Sequence, residues 1–433
     1  MKLRIASPLS WVSRDARLII GAKGIRSFGQ SIVAIIIASY MAELNFSVFQ
    51  LGLFITVGVI GVSFFSFLVG LFAAKIGRRR LLVTFSMMSA GAAVAFFFID
   101  DFRLLLAVAF VGALVSGGGG GGESAAQPLE MASLAGTAPE GRRTDLFAVY
   151  SIGARSGAFF GALAATFPEV VFQDILGWST LPSLRIMFLA FAGCQLTGAT
   201  LYSLLSPAIE GSATRQRWTN PLKLPSRRRI FTLTGLFSLD TFSTSMVVQS
   251  LMAYWFLTNF GLELTSLAFV FASSYVITAT SLWVAAKLGN RIGLLNTMVF
   301  THIPSNLFLI GAAFAPTAWI AIVFWQFRAL LTQMDVPTKD SYNMAIVGPD
   351  ERVAFASINQ VGRSAAGAAA PIVTTSLWNI ANAATPLVVS AILSITYDVS
   401  LYIMFRNVRP PEEEERLRRR RDARRTSVPE EIP

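Results

Sequence analysis

The chain holds one cysteine, Cys194, and one histidine, His302, in 433 residues. A single cysteine excludes an internal disulfide, and the pair provides no ligand spacing that would hold a metal. Cys194 reads as a small buried hydrophobe. Charge is scarce too: 14% of residues are Asp, Glu, Lys or Arg, where a soluble globular chain carries about a quarter. A phosphate-binding loop is also missing. The stretch "VSGGGGGGESAAQPLE" (115–130) has six glycines in a row, but no lysine follows and no strand precedes. ATP-driven pumping within this chain is thereby excluded. So is an enzyme built on a reactive cluster of side chains. No cofactor is expected.

What is present is hydrophobic: 54% of the residues, with a mean hydropathy of +0.58. Twelve apolar runs are each about long enough to cross a bilayer. They cover 19–42, 51–74, 81–99, 104–126, 146–167, 186–206, 230–256, 264–286, 294–315, 318–336, 353–376 and 385–405. None alternates with a strand period, so the fold class is an all-α integral membrane protein. Residues 1–24 are basic and broken by polar residues, so the first run is expected to be retained and not cleaved as a signal.

The net charge of +11 would suit a nucleic-acid partner if it lay on one face. It lies instead in short tracts between runs: "KIGRRR" (75–80), "EGRRTD" (140–145), "RQRWTNPLKLPSRRR" (215–229), "KLGNR" (287–291) and "GPDER" (348–352). The alternate loops, "DDFR" (100–103), "PEVVFQDILGW" (168–178) and "GLE" (261–263), carry almost no Lys or Arg. The positive-inside bias places the first set and both termini in the cytoplasm, in a multi-pass protein of the plasma membrane. No nucleic-acid partner is expected, and the protein is expected to be a monomer.

The sequence divides into 1–206, a basic cytoplasmic linker 207–229, 230–406, and a charged cytoplasmic tail 407–433. Pro207, Pro221 and Pro225 stop either flanking helix from running through the linker. The tail, "PEEEERLRRRRDARR" (411–425), has the Glu-before-Arg order of a surface helix. The halves repeat at a spacing near 210 residues. "YMAELNF" (40–46) aligns with "YWFLTNF" (254–260), "KIGRR" (75–79) with "RIGLL" (291–295), and "FAVYSIGARSG" (147–157) with "FASINQVGRSA" (355–365). Two parallel six-helix repeats point to a transporter with its site at the repeat interface, near the bilayer midplane.

The sequence resembles the major facilitator superfamily over nearly its whole length. The sharpest local match is "GLFAAKIGRRR" (70–80), where Gly70, Lys75, Gly77, Arg78 and Arg79 fall on the family's loop pattern between spans two and three. The resemblance implies a gating role for these five residues. Ala74 stands where the family has an aspartate, which puts the detail of that gate in question. The resemblance also implies that spans one, four, seven and ten line a cavity, that two, five, eight and eleven flank it, and that three, six, nine and twelve face outward. The proline of the drug-antiporter motif on span five is missing from "SIGARSGAFFGALAA".

Ionisable groups within a span cost at least about 2.5 kcal/mol each on insertion scales, so each is a functional candidate. Seven lie on spans lining or flanking the cavity: Arg26, Glu123, Arg155, Asp240, Arg328, Asp335 and Arg363. With Gln30, one turn beyond Arg26, they make up the expected substrate and proton pathway. Arg26 and Asp240 occupy matching repeat positions and are expected to face each other across the cavity. Asp240 would carry the proton, and a permanent ion pair between the halves is the alternative. Gly153, Gly157 and Gly161 form a packing seam with Arg155 on the opposite side of the helix. Arg363 flanks a similar small face made by Gly362, Ala366 and Ala370. Arg328, Thr332 and Asp335 suggest a polar track down span ten, although Asp335, just before Pro337, also reads as a helix end. His302 reads as a helix-end residue, and Asp398, near Arg406, as a structural pair at the inner surface. The six glycines read as the deformable cytoplasmic half of span four.

The function expected from these features is secondary active transport of a small solute by alternating access. Proton coupling would run through Asp240 or Glu123. Four arginines against three acids on the cavity spans tilt the substrate toward an organic anion. The alternatives are an efflux transporter for cationic or drug-like compounds and a non-transporting membrane sensor of similar build.

Overall fold

The computed structural model describes residues 11–112, 124–137, 143–210, 226–334, 339 and 351–407, and among these every regular element is a helix. The first half contains α1 (Arg14–Glu43), α2 (Val48–Ile76), α3 (Arg78–Phe98), α4 (Phe102–Gly112), α5 (Gln127–Thr137), α6 (Arg143–Ala164) and α7 (Thr180–Ser203). A π-helical turn, Pro168–Ile175, follows α6. The second half contains α8 (Arg227–Ser245), α9 (Gln249–Phe260), α10 (Leu264–Ile292), α11 (Leu294–Ala313), α12 (Ala318–Leu331), α13 (Arg352–Ile380) and α14 (Thr385–Phe405). Among the described residues, seven helices are individually long and apolar enough to cross a membrane, and α4 and α12 are shorter apolar helices.

Capping explains several of the starts. Ser13 accepts from the Ala16 amide at α1, and Ser47 and Gln50 form a reciprocal capping box at α2. Gly77 and Gly293 open α3 and α11 with φ of +97° and +96°. These glycines are the matched positions of the repeated loop, and they take the same left-handed turn that a side chain would strain.

Two expected runs are each built from two pieces. The run 230–256 breaks at 246–248 into α8 and α9. Side-chain hydroxyls take up carbonyls at the break: Thr374 donates to Met246 O at 3.0 Å, and Ser390 donates to Ser243 O at 2.7 Å. A broken membrane helix must satisfy its backbone in this way. Span four consists of α4 and α5 on either side of 113–123. It reaches Thr137 and so runs past the expected end at 126. The six glycines, with Glu123, lie outside the described residues.

Packing follows the repeat. In the first half α1 lies on α6 and α3 on α7, and in the second α8 lies on α13 and α11 on α14. The halves meet reciprocally through α2 with α13 and α6 with α10, and also through α1 with α9. The α1–α6 seam is glycine-built, as expected: a Cβ on Gly157 would stand 2.0 Å from Gly24 O, and one on Gly161 would stand 2.0 Å from Phe28 O.

The apolar core is asymmetric along the long axis. At the end away from the basic loops, one cluster includes Ile36, Tyr40 and Phe188 of the first half with Leu251, Phe256 and Phe271 of the second. At the basic-loop end each half has its own cluster. One contains Leu82, Leu129 and Tyr202, and the other contains Leu233, Phe355 and Leu401. Polar contacts also close the joined end. Thr265 donates to Glu169 through its amide at 2.7 Å and its hydroxyl at 2.8 Å. The Ile372 amide donates to Thr56 Oγ1 at 3.2 Å. The halves are therefore sealed together at one end and separately packed at the other.

Candidate functional site

Between the halves lies a cavity of about 400 Å³, lined by residues of both. Its wall carries Arg155 from α6, Arg328 from α12, Arg363 from α13, Lys339, His302 from α11, and Asp240 from α8. Among the described residues, four fixed cations thus share the wall with one carboxylate.

Asp240 is paired with Lys339 at 2.6 Å. The lysine ammonium also lies 5.6 Å from the ring centroids of Phe237 and Tyr397. Asp240 Oδ1 is buried and makes no hydrogen bond to any described residue. Arg363 donates from Nε to Thr241 Oγ1 at 2.9 Å. The Arg328 guanidinium sits 4.9 Å over the Trp325 ring, a cation–π contact, while its Nε has no partner among the described residues. Arg155 leaves Nε and Nη1 buried without a partner among the described residues. Beside it the Tyr275 hydroxyl donates to Gln249 Oε1 at 2.7 Å. Among the described residues no carboxylate pairs with Arg155, Arg328 or Arg363.

Arg26 is elsewhere. It is 3% exposed, within the first half. It donates from Nη1 to Glu130 Oε1 at 2.5 Å and to the Tyr202 hydroxyl at 2.9 Å, and from Nη2 to Ser124. Tyr150 at 2.5 Å and Tyr202 both donate to the same carboxylate. The expectation that Arg26 and Asp240 face each other, as a switch or as a permanent pair between the halves, is therefore corrected. Each pairs inside its own half with a side chain within 2.6 Å, and in a low-dielectric interior the nearest counter-charge dominates. Gln30 also lies away from the main cavity, in a small pocket beside Arg26.

The two pairs repeat with their charges exchanged. Arg26 and Glu130 in the first half correspond to Asp240 and Lys339 in the second. Glu130 and Lys339 sit at the same place in "QPLE" (127–130) and "VPTK" (336–339), each two residues after a proline.

Two further expectations change. His302 lies within α11, not at its end, and it reaches the cavity wall. Asp398 pairs with His302, at 3.0 and 3.1 Å, instead of joining Arg406 at the surface. Spans nine and twelve thus contribute to the polar interior. Asp335 lies outside the described residues, while Thr332, one turn from Arg328, lines the cavity.

The loop at 70–80 finds its acid in Glu210, not at position 74. The carboxylate accepts from the Arg78 amide at 2.5 Å and the Arg79 amide at 3.2 Å, capping α3. Arg78 Nη1 also donates to Ile209 O at 3.1 Å. Lys75 is exposed.

Two helical halves around a polar cavity, sealed at one end, define a membrane transporter of the alternating-access class. The chain belongs to the Major Facilitator Superfamily, whose profile matches residues 19–371. It is a multi-pass membrane protein and a non-enzymatic secondary transporter with a small-molecule substrate. It is similar to an uncharacterized membrane protein, YJR124C, of Saccharomyces cerevisiae (strain ATCC 204508 / S288c). That protein is 22% identical over 92% of this chain and 95% of its own. Among solved structures, the nucleoside transporter NupG superposes with a TM-score of 0.69 at 12% identity, covering 91% of this chain and 99% of that one. A bacterial homolog of the human lysosomal transporter Spinster, inward-facing and occupied, gives 0.70 at 13% over 90% and 96%. A D-xylose–proton symporter gives 0.68 at 14% over 89% and 97%. The expected family, all-α fold and absence of enzymatic chemistry are borne out.

Proposed function

We propose that the chain carries a small organic anion across the plasma membrane, with Arg155, Arg328 and Arg363 as its binding group. One observation carries this reading: three guanidiniums from both halves line the cavity with no carboxylate partner among the described residues, and buried N–H groups of two of them are unsatisfied. Arginine stays charged in proteins, and an uncompensated buried cation is costly. A carboxylate or phosphate entering the cavity would supply the missing acceptors, in the bidentate geometry that guanidinium favours. The volume suits a metabolite-sized solute. Nucleosides and D-xylose, named for proteins of the same fold, fall in that size range.

The basic loops support a cytoplasmic location for both termini, so the separately packed end would open to the cytoplasm. Residues 1–206 and 230–406 would then rock about the cavity as two bodies. The 207–229 linker and the 407–433 tail would lie in the cytoplasm. Gly70, Lys75, Gly77, Arg78 and Arg79, with Glu210 accepting from the Arg78 and Arg79 amides, would form part of the inner gate that re-forms when that end closes.

A thermal-shift panel on the purified monomer in detergent tests the reading, with benzoate, succinate and glycerol phosphate set against quaternary ammonium ions and divalent metals. A ligand at a hundred times its Kd stabilises the folded state by about 2.7 kcal/mol. Anions are expected to stabilise the protein, and Arg155→Gln and Arg328→Gln are expected to abolish the effect. Stabilisation by organic cations, lost in Asp240→Asn, would replace this reading with efflux of cationic compounds.

A further inference from the structure

The guanidiniums account for the charge a solute would carry, and the neutral groups around them describe the rest of it. Ser63 and Ser66 on α2, Gln127 at the start of α5, Thr244 on α8, and Thr332 and Gln333 just after α12 all line the cavity. Ser63 donates its hydroxyl hydrogen to Val59 O at 2.9 Å, and Thr244 donates to Asp240 O at 2.9 Å. With the hydrogen committed to its own helix, each oxygen keeps lone pairs that accept from a solute hydroxyl. The side chains of Ser66, Gln127, Thr332 and Gln333 make no hydrogen bond to any described residue. They are half-buried, and each of them can both donate and accept.

Matching these groups takes a solute with hydroxyls along its body. A hydroxyl donates and accepts, as the wall does. A hydrocarbon body would leave the wall groups dehydrated and unmatched once the halves close on it. An aromatic body finds no free stacking face at Trp325. The Arg328 guanidinium lies over that ring at 4.9 Å, and Phe256 and Phe271 meet it edge-on at 6.3 and 6.1 Å. The neutral groups come from both halves, so closure would bring them onto both sides of the solute.

We infer that the solute is a polyhydroxylated anion, by chemical class a sugar acid or a sugar phosphate. Its charge rests on Arg155, Arg328 and Arg363. Its hydroxyls are read by Gln127 and Gln333, with Ser63, Ser66, Thr244 and Thr332 beside them. This inference rests on the anion reading above and narrows it. Gln127 belongs to the first half and Gln333 to the second, so a solute that meets both joins its recognition to closure of the halves.

The experiment titrates full-length protein in lipid nanodiscs by calorimetry. The solutes are matched: gluconate against hexanoate, glycerol phosphate against propyl phosphate, and sorbitol as the uncharged polyol. The members of each pair differ in their hydroxyls. In at least one pair the hydroxylated anion is expected to bind on the order of tenfold tighter than its plain partner, and sorbitol is expected to bind more weakly than that anion. Gln127→Leu and Gln333→Leu should each narrow the ratio within the pair about threefold. Arg155→Gln should weaken both members and keep their ratio. Ser66→Ala and Thr332→Val test the same point where a glutamine variant does not fold. Plain acids that bind as tightly as their hydroxylated partners overturn the polyhydroxylated class and leave the anion reading standing. Sorbitol bound as tightly as gluconate and glycerol phosphate overturns the anion reading. Binding of none of these solutes overturns both. A ratio that stays in place in all four wall variants overturns the role given to these side chains.

Discussion

Replacing Glu130 by glutamine removes the carboxylate that, among the described residues, pairs with Arg26. The guanidinium is 3% exposed and Glu130 is fully buried, so neither regains water easily. The amide keeps the shape but loses the charge, and two tyrosine hydroxyls, Tyr150 and Tyr202, lose a charged acceptor. Breaking a buried pair from one side costs about 3–5 kcal/mol, because a lone charge is left behind. For a unit the size of the first half, each kcal/mol is worth about 2–4 °C. Thermal unfolding in detergent should therefore show a fall of roughly 6–20 °C in Glu130→Gln. The double variant Arg26→Met with Glu130→Leu removes both charges and should recover most of that loss. A single variant within about 2 °C of wild type would refute the claim that this pair is a sealed structural element of the first half.

Three further predictions follow from particular contacts. Gly157→Ala places a Cβ 2.0 Å from Gly24 O and should cost about 1–3 kcal/mol by forcing α1 from α6, whereas Gly193→Ala, with nothing within 4 Å, should leave thermal unfolding unchanged. Glu210→Ala strips the acceptor from the Arg78 and Arg79 amides; hydrogen exchange at the start of α3 should rise, with about 1–3 kcal/mol lost. Glu169→Ala removes the acceptor for Thr265 at the sealed end. In a Cys194→Ser background it should speed maleimide labelling, from the side of the sealed end, of Ser31→Cys, a buried α1 position beside the Tyr275 hydroxyl of the second half, on the order of tenfold. Equal rates with and without Glu169 would mean that it does not help to keep that end shut.

The repeat was legible wherever both halves kept the same residue. Gly77 and Gly293 share a turn, and the glycine seam on α6 followed from spacing four apart. What escaped was pairing across the interior. Glu130 and Lys339 lie just past the points where hydropathy seemed to end spans four and ten, so Arg26 and Asp240 were left facing each other. The matched Pro-x-Glu and Pro-x-Lys of "QPLE" and "VPTK" were the available signal, obscured because the charge changes sign between halves. His302 and Asp398 were set aside because spans nine and twelve read as outward-facing, and a one-dimensional pattern does not show that a side chain on such a helix turns inward. Glu210 sits 131 residues from Arg79, too far along the chain for loop chemistry alone to suggest the pairing.

The sealed end and the separate cores at the opposite end suggest how transport would proceed. Opening the sealed end must break the Glu169–Thr265 and Thr56–Ile372 contacts and divide an apolar cluster that both halves share. Closing the other end must bring two finished cores together. A solute that bridges Arg155 in one half and Arg328 in the other would favour that closure, because it draws the halves onto a common charge.

The most direct test of the central claim is counterflow in proteoliposomes, using the organic anion that most stabilises the purified protein. Vesicles are loaded with unlabelled anion and trace labelled anion is added outside. The account predicts transient accumulation of label in wild type and its loss in Arg155→Gln and Arg328→Gln, with folding verified by thermal unfolding. Binding without accumulation in the wild type, or accumulation that both arginine variants retain, would contradict it.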